Sequence, residues 1–219
     1  MYTVKQIAQH KLENYSVMSQ IWALRYRVFC EEKEWIPKNP EKIDIDAFDA
    51  LDVRHFACFD DHGQVVGYFR LLPTTGPYML KDVFPVLMGG KPCPNDEHIL
   101  ESSRFVIDRN VARDRNELGN VSKVTSALLI ALFEYAEANN VKAVVSVCDL
   151  SVEKILRRSG LLTTRYSAPV KIGNCLAVAG YAEPSELNID RLKETFHVGE
   201  AEITERQIHY FPTQEQQRM

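Results

Sequence analysis

The chain has 219 residues, of which 45% are hydrophobic and 26% charged, and carries a net charge of -4. Its pI is about 5.9 and its mean hydropathy -0.24. A chain of this size suits one large core rather than two small ones, and the charge argues against a nucleic-acid or anionic-membrane binder. An acidic partner would need a local basic patch. Five scattered cysteines, Cys30, Cys58, Cys93, Cys148 and Cys175, form no CxxC and no paired His spacing. They read as reduced thiols rather than as a disulfide frame or a zinc site. The N-terminal MYTVKQIAQHKLENY lacks the apolar core of a signal peptide. The longest apolar run, Ala127 to Phe133, is far short of the roughly 20 residues a membrane span needs. A soluble, cytoplasmic protein is expected.

The spacing of Val17, Ile21, Leu24 and Val28 predicts a first helix from about Asn14 to Glu32. Residues 36–53, IPKNPEKIDIDAFDALDV, lose that pattern and gather two prolines and five acids. Long connections of this kind tend to be functional. His55–Phe59 and Val65–Leu72 read as two strands joined by the DDHG turn. PTTGP is a turn, Met79–Leu87 a short helical stretch and GGKPCPND a loop before the strand LESSRFVI. Asn120 or Ser122 caps a helix to about Asn139. KAVVSVCDL is apolar enough for the middle of a sheet, and SVEKILRRSG is a short helix ended by Gly160. Leu161–Tyr166 and Cys175–Tyr181 complete the strands, and a helix follows near residues 186–196. This order gives a mixed α/β fold on one central sheet.

Charges stand inside several of these apolar segments. Arg25 lies on the first helix, Asp44, Asp46 and Asp49 in the acidic connection, Arg70 in VVGYFRLL, and Glu101 and Arg104 in LESSRFVI. On spacing alone they suit structural ion pairs tying a loop to a sheet. Strict alternation would send Glu101 and Arg104 to opposite faces of their strand.

The segments RYRVF, Trp35, DIDAFD, GYFRLLPTTGPYMLKDVFP and ESSRF together resemble the signature of the acyl-homoserine-lactone synthases of the LuxI type. The likeness runs from about Leu24 through KIGNCLAVAG, most of the chain. It implies a single-domain, GNAT-like three-layer α/β fold with a central mixed sheet over residues 1–219. Residues 1–53 would form the S-adenosylmethionine side, 54–182 the acyltransferase-like core, and 183–219 a C-terminal helix and polar tail. It also implies transfer of an acyl group from an acyl carrier protein to the amine of S-adenosylmethionine, followed by lactone closure. S-adenosylmethionine is then a substrate, and neither cofactor nor metal is expected.

Carried over by position, the family's charged set falls on Arg25, Asp46, Asp49, Arg70, Glu101 and Arg104. The resemblance places S-adenosylmethionine against Phe29, Trp35, Asp46, Arg104 and Phe105, and the acyl chain near Met79, Cys148 and Leu150. Ser102 and Asp44 depart from the residues common in the family, a leucine and a glutamate. An aromatic face suits a sulfonium, and an arginine can fork onto a carboxylate. Glu101 is the candidate base for the attacking amine. A β-bulge between Glu101 and Arg104 would bring both to one cleft; without it, Arg104 would pair with Asp46 or Asp49 on the other face. Lys154, Arg157 and Arg158 make a basic patch for an acidic carrier protein, although cations near a helix C-terminus are also favoured by the dipole.

Two other readings stay open. A GNAT-like N-acyltransferase using acyl-CoA on another amine would carry a glycine-rich pyrophosphate turn, which RDRNELGNVSK lacks. A non-catalytic sensor of a small ligand would have no use for the whole charged set.

Overall fold

The computed structural model describes residues 2–196 apart from His10, Asp52, Arg109, Ala112 and residues 114–120. Residues 114–120 of the stretch weighed as a pyrophosphate turn, and the last twenty residues, lie outside the described part. The strands are β1 (Thr3–Ile7), β2 (Arg54–Phe59), β3 (Val65–Pro73), β4 (Ile99–Ile107), β5 (Ala143–Asp149), β6 (Thr164–Arg165), β7 (Val170–Ile172) and β8 (Cys175–Ala182). The helices are α1 (Tyr15–Tyr26), α2 (Met79–Asp82), α3 (Lys123–Ala138), α4 (Leu150–Arg158) and α5 (Glu186–Phe196).

All eight strands form one sheet, ordered β1-β2-β3-β4-β5-β8-β6, with β7 also paired to β8. Every pairing is antiparallel except β4 with β5. That parallel pair touches only from Ile99–Glu101 to Ala143–Val145. Beyond Glu101 the two strands part, which leaves the backbone of β4 open on that side. The mixed sheet is therefore wedged apart at its centre.

Helices cover both faces, giving three layers. On one face Val124, Leu128 and Phe133 of α3 and Ile189 and Leu192 of α5 pack with Phe56, Phe69 and Leu100. Gly67 permits this approach: a Cβ there would stand 2.7 Å from Val124 and 2.8 Å from Leu128. On the other face Met18, Ile21 and Leu24 of α1 pack with Ala57, Tyr68 and Val106. A third cluster joins Leu72, Tyr78, Leu80, Leu87 and Ala179 beneath α2.

The helix expected over 14–32 is present, but its last turn, Arg27–Glu32, widens into a π-helix, a distortion frequent at functional sites. The strand β1, TVKQI, was not anticipated; a polar edge strand half covered by solvent has little periodic signal. The expected strand 161–166 shortens to the two residues of β6, and β7 adds an unpredicted pairing. Gly160 follows α4 at φ +83°, the left-handed position that ends a helix without a Cβ penalty.

Candidate active site

The bulge is in β4. Tyr68 pairs with Val106 and Arg70 with Ser103, so two steps on β3 span three on β4. Arg104 takes up the extra residue at φ +54°. The slip resets the alternation: Glu101, Ser103 and Arg104 all reach the side of α1 and α2, and Val106 rejoins the α1 core. Phe105 is thereby sent to the α3 face, where its ring lies 6.1 Å from that of Phe69. Its side chain is thus not brought to the other S-adenosylmethionine candidates. The two expectations for Arg104 merge, because it shares Glu101's side and is paired with aspartates there.

Arg104 belongs to a closed group of three arginines and three aspartates. Arg25 donates from Nε to Asp44 at 3.0 Å and forks onto Asp49 at 2.9 and 3.0 Å. Arg70 donates to both oxygens of Asp46 at 2.7 and 2.8 Å, to Asp49 at 2.7 Å, and from Nε to Ser103 at 2.9 Å. Arg104 reaches Asp46 at 2.8 Å. Its Nε lies 3.0 Å from Asp44 yet lacks an aligned hydrogen bond. The loop is held in shape by DAFD itself: Asp46 caps a 3₁₀ turn over Ala47–Ala50, and Asp49 accepts the Asp46 N–H in return.

Burial opposes ionisation of Asp46 and Asp49, but the guanidinium bonds outweigh it. Asp49 is held down at about 2, by Arg25 foremost, and Asp46 is lowered chiefly by Arg70. Desolvation pulls Arg104 below its ordinary range, whereas Arg25 and Arg70 are raised against burial, Arg25 by Tyr68 and then Asp49, and Arg70 by Asp46. Arg104 is therefore the least satisfied of the three.

Glu101 stands in different surroundings. It is 1% exposed, and its two oxygens accept the backbone N–H groups of Met79 and Leu80 at 2.8 and 2.7 Å, at the start of α2. Burial pushes its carboxyl up to about 7 against those bonds and the charge of Arg70. Met79 links the two groups, its sulfur 3.5 Å from Arg70 Nη2 and 3.9 Å from Arg104 Nη1.

The aromatic pair lies beside Arg104. Glu34 at φ +53° turns the chain back so that the Trp35 N–H donates to the Phe29 carbonyl at 2.9 Å. The two rings then stack at 5.9 Å, and the Arg104 guanidinium sits 5.0 Å over Phe29. Trp35 remains 43% exposed. Cys148 and Leu150 are part-buried at the end of β5 and the start of α4. Alternation sets Cys148 on the face of Val144, which packs with α3, whereas Val147 packs beneath α2. Met79 and Cys148 thus approach the parted strands from opposite faces. Lys154, Arg157 and Arg158 are all exposed on α4, while Glu153 is buried against Arg165 at 2.5 Å. Ser103 and the α2 backbone were missed in the sequence, since an uncharged hydroxyl and a backbone N–H give no distinct signal even inside the motifs that hold them. All five cysteines are free, and no metal-binding group occurs among the described residues.

A family model for autoinducer synthases matches residues 9–192. The chain belongs to the autoinducer synthase family. An acyl-homoserine-lactone synthase of Pseudomonas aeruginosa is 36% identical to this synthase over 178 residues, covering 80% of this chain and 87% of the relative. That of Vibrio anguillarum is also 36% identical, over 63% of this chain and 70% of its own. The crystal structure of the AHL synthase LasI superposes with a TM-score of 0.75 at 33% identity, over 91% of this chain and 97% of that one. A CoA-dependent acyl-homoserine lactone synthase, BjaI, solved with SAM and isopentyl-CoA, shares the fold with a TM-score of 0.78 at 24% identity over 90% of each chain. The expected GNAT-like three-layer fold and the acyltransferase assignment both hold for this synthase. No helix among its described residues is long and apolar enough to cross a membrane.

Proposed function

We propose that this synthase acylates the amine of S-adenosylmethionine from an acyl carrier protein thioester and then closes the lactone, in the cytoplasm. The observation that carries this reading is the bulged β4, where a carboxylate poised near neutrality, an under-satisfied arginine and a stacked aromatic pair share one side of a parted sheet. Trp35 and Phe29 offer a face to the sulfonium. Arg104 forks onto the substrate carboxylate, with Asp46 near the amine. Arg25, Arg70 and Asp49 hold the loop that carries these groups. The Phe105 ring packs into the α3 core, so its contribution on this reading comes from the bulge backbone.

Glu101 takes the proton of the amine, directly or through a water, using lone pairs left beside the two N–H bonds it already accepts. The amine nitrogen then attacks the thioester carbon. The backbone N–H groups of β4 facing the parted strand polarise the carbonyl oxygen. The carbon–sulfur bond breaks, the carrier thiolate takes the second proton from the nitrogen as the amide forms, and Glu101 releases its own proton to solvent. In the second step the substrate carboxylate oxygen attacks the carbon bearing the sulfonium. That carbon–sulfur bond breaks and methylthioadenosine leaves as a neutral thioether, so positioning matters more than a base. Met79, Cys148 and Leu150 border the acyl chain, and Lys154, Arg157 and Arg158 meet the acidic carrier. S-adenosylmethionine is consumed as substrate, so no cofactor or metal is needed.

Purified synthase given S-adenosylmethionine and acylated carrier protein should release methylthioadenosine and an acyl-homoserine lactone in equal amounts. No methylthioadenosine with any acyl carrier or acyl-CoA would sink the reading. A second reading, an acyl-CoA donor, is favoured by the fold shared with the CoA-dependent enzyme. Turnover with CoA thioesters alone would establish it.

A further inference from the structure

Lys33 was not singled out in the sequence, yet it bridges two elements that are 116 residues apart. Its Nζ lies 4.3 Å over the Trp35 ring and donates to Asp149 Oδ2 at 2.9 Å. Asp149 ends β5 and caps α4: its other oxygen, Oδ1, accepts the backbone N–H groups of Ser151 and Val152, both at 2.9 Å. The pair therefore crosses from the end of the π-helical turn to the far strand of the parted sheet. Each ring of the stacked pair thus has its own cation, Lys33 at Trp35 and Arg104 at Phe29.

Trp35 needs such support. Phe29 stacks on it, its backbone hangs from the Phe29 carbonyl, and nearly half of its surface is open to water. A half-exposed indole has rotameric freedom that binding would have to remove. The Lys33 ammonium adds a second hold, and the ion pair with Asp149 fixes where that ammonium stands. The Asp149 side chain is 11% exposed and that of Lys33 30%, so the pair is partly shielded from the screening that weakens open surface pairs.

We propose that Lys33 is a positioning residue: clamped by Asp149, it fixes the Trp35 ring, with the Phe29 ring stacked on it, as one wall of the S-adenosylmethionine site. This rests on the proposed substrate, so the test includes a readout that needs no substrate. The two oxygens of Asp149 divide their work, which allows the clamp to be cut without removing the helix cap. Asp149→Asn keeps Oδ1 for the cap and turns an amide toward Lys33. Lys33→Met keeps the stem and drops the charge.

In a Trp22→Phe background Trp35 is the remaining indole, since the chain has two tryptophans. There, both variants should increase acrylamide quenching of Trp35 in the substrate-free protein. Both should raise the KM for S-adenosylmethionine about five- to thirtyfold, the range of a partly desolvated cation–π contact. The carrier KM and kcat should stay within about twofold, as expected when only ground-state binding is lost. The double variant should be no worse than either single one, because both break the same clamp. Unchanged quenching and KM in Lys33→Met, or additive effects in the double variant, would overturn the proposal. If quenching responds but the wild type releases no methylthioadenosine, the clamp stands and the proposed function falls. If the wild type turns over and neither readout moves, the clamp alone fails.

Discussion

The aspartate group of the acidic loop and the single carboxylate of Glu101 share Arg70 as a neighbour, yet their other neighbours give them opposite characters. Asp44, Asp46 and Asp49 face guanidinium groups, and Asp49 is held down at about 2. Glu101 faces the backbone N–H groups of α2, and burial lifts it to about 7. Guanidinium groups bonded directly to the carboxylate outweigh desolvation, whereas two neutral N–H dipoles and the field of Arg70 do not. Charge pairing thus yields a fixed scaffold, and dipole support yields a group that exchanges a proton near neutral pH. The bulge at Arg104 joins the two sets by setting one arginine between scaffold and cleft.

The largest effect should come from breaking the scaffold. Asp49→Asn removes one negative charge from between Arg25 and Arg70, both fully buried. Leaving buried cations without their counter-charge costs about 3–5 kcal/mol, read as a lower urea midpoint. The pH dependence has a definite sign. Asp49 titrates lower in the folded chain than in the unfolded one, so its stabilisation is present above the ordinary carboxylate value of 3.8 and is lost as pH falls toward about 2. A variant as stable as wild type would mean that the aspartates serve chemistry rather than the frame.

Glu101→Gln tests the other set. The amide cannot accept from both Met79 and Leu80 as the carboxylate does, so the hold on α2 weakens by about 1–3 kcal/mol. Turnover should fall by about 10²-fold or more as the proton acceptor is lost. Loss of under about tenfold would remove Glu101 from the base role. In the wild type the rate should rise with pH up to about 7 and then level off, a profile absent from any residual activity of the variant. Stability runs the opposite way. Because the folded value is raised, the stabilising share of Glu101 is full below about 4.5 and is lost as pH rises through about 7.

Much of this was legible in the sequence, because long motifs fix local structure. The apolar stripe of α1 and the Ser122 cap of α3 declare themselves by spacing. The charged set could be gathered from the family resemblance, but its division into scaffold and base could not. That division depends on which donors surround each carboxylate, and the decisive donors at Glu101 are backbone atoms with no side-chain identity. The Phe105 ring was misplaced for a related reason. A bulge changes the face of every residue after it, and sequence alternation alone cannot date the slip.

A smaller loss should follow from the aromatic side of the bulge. Arg104→Ala and Trp35→Ala should each weaken S-adenosylmethionine binding about five- to thirtyfold, measured by calorimetric titration. Arg104→Ala also frees charge on Asp46 and Asp44, so it should lower stability where Trp35→Ala does not. Equal titrations for wild type and both variants would assign Trp35 and Arg104 to the frame. The exposed cations of α4 make a weaker demand. Reversing Lys154 and Arg158 to Glu should raise the carrier KM several-fold and leave S-adenosylmethionine binding unchanged, and added salt should weaken the wild type similarly. Carrier kinetics blind to both changes would return the patch to ordinary surface, stabilised by the helix dipole.

The smallest effect should be at Cys148, opposite Val178 on β8 and buried enough to push its thiol up to about 12. The neutral thiol is a weaker hydrogen-bond donor than a hydroxyl. A 3-oxo group on the acyl chain would therefore find a poorer partner here than a threonine would supply. Cys148→Thr nearly preserves volume and should shift preference toward 3-oxo over unsubstituted donors by about fivefold, the worth of one net hydrogen bond of about 1 kcal/mol. The wild type should show little 3-oxo preference in the same competition. A strong wild-type preference, or a threonine variant with unchanged selectivity, would leave Cys148 as a small packing residue between β5 and α4. Its buried setting beside Glu153 would then account for it in full.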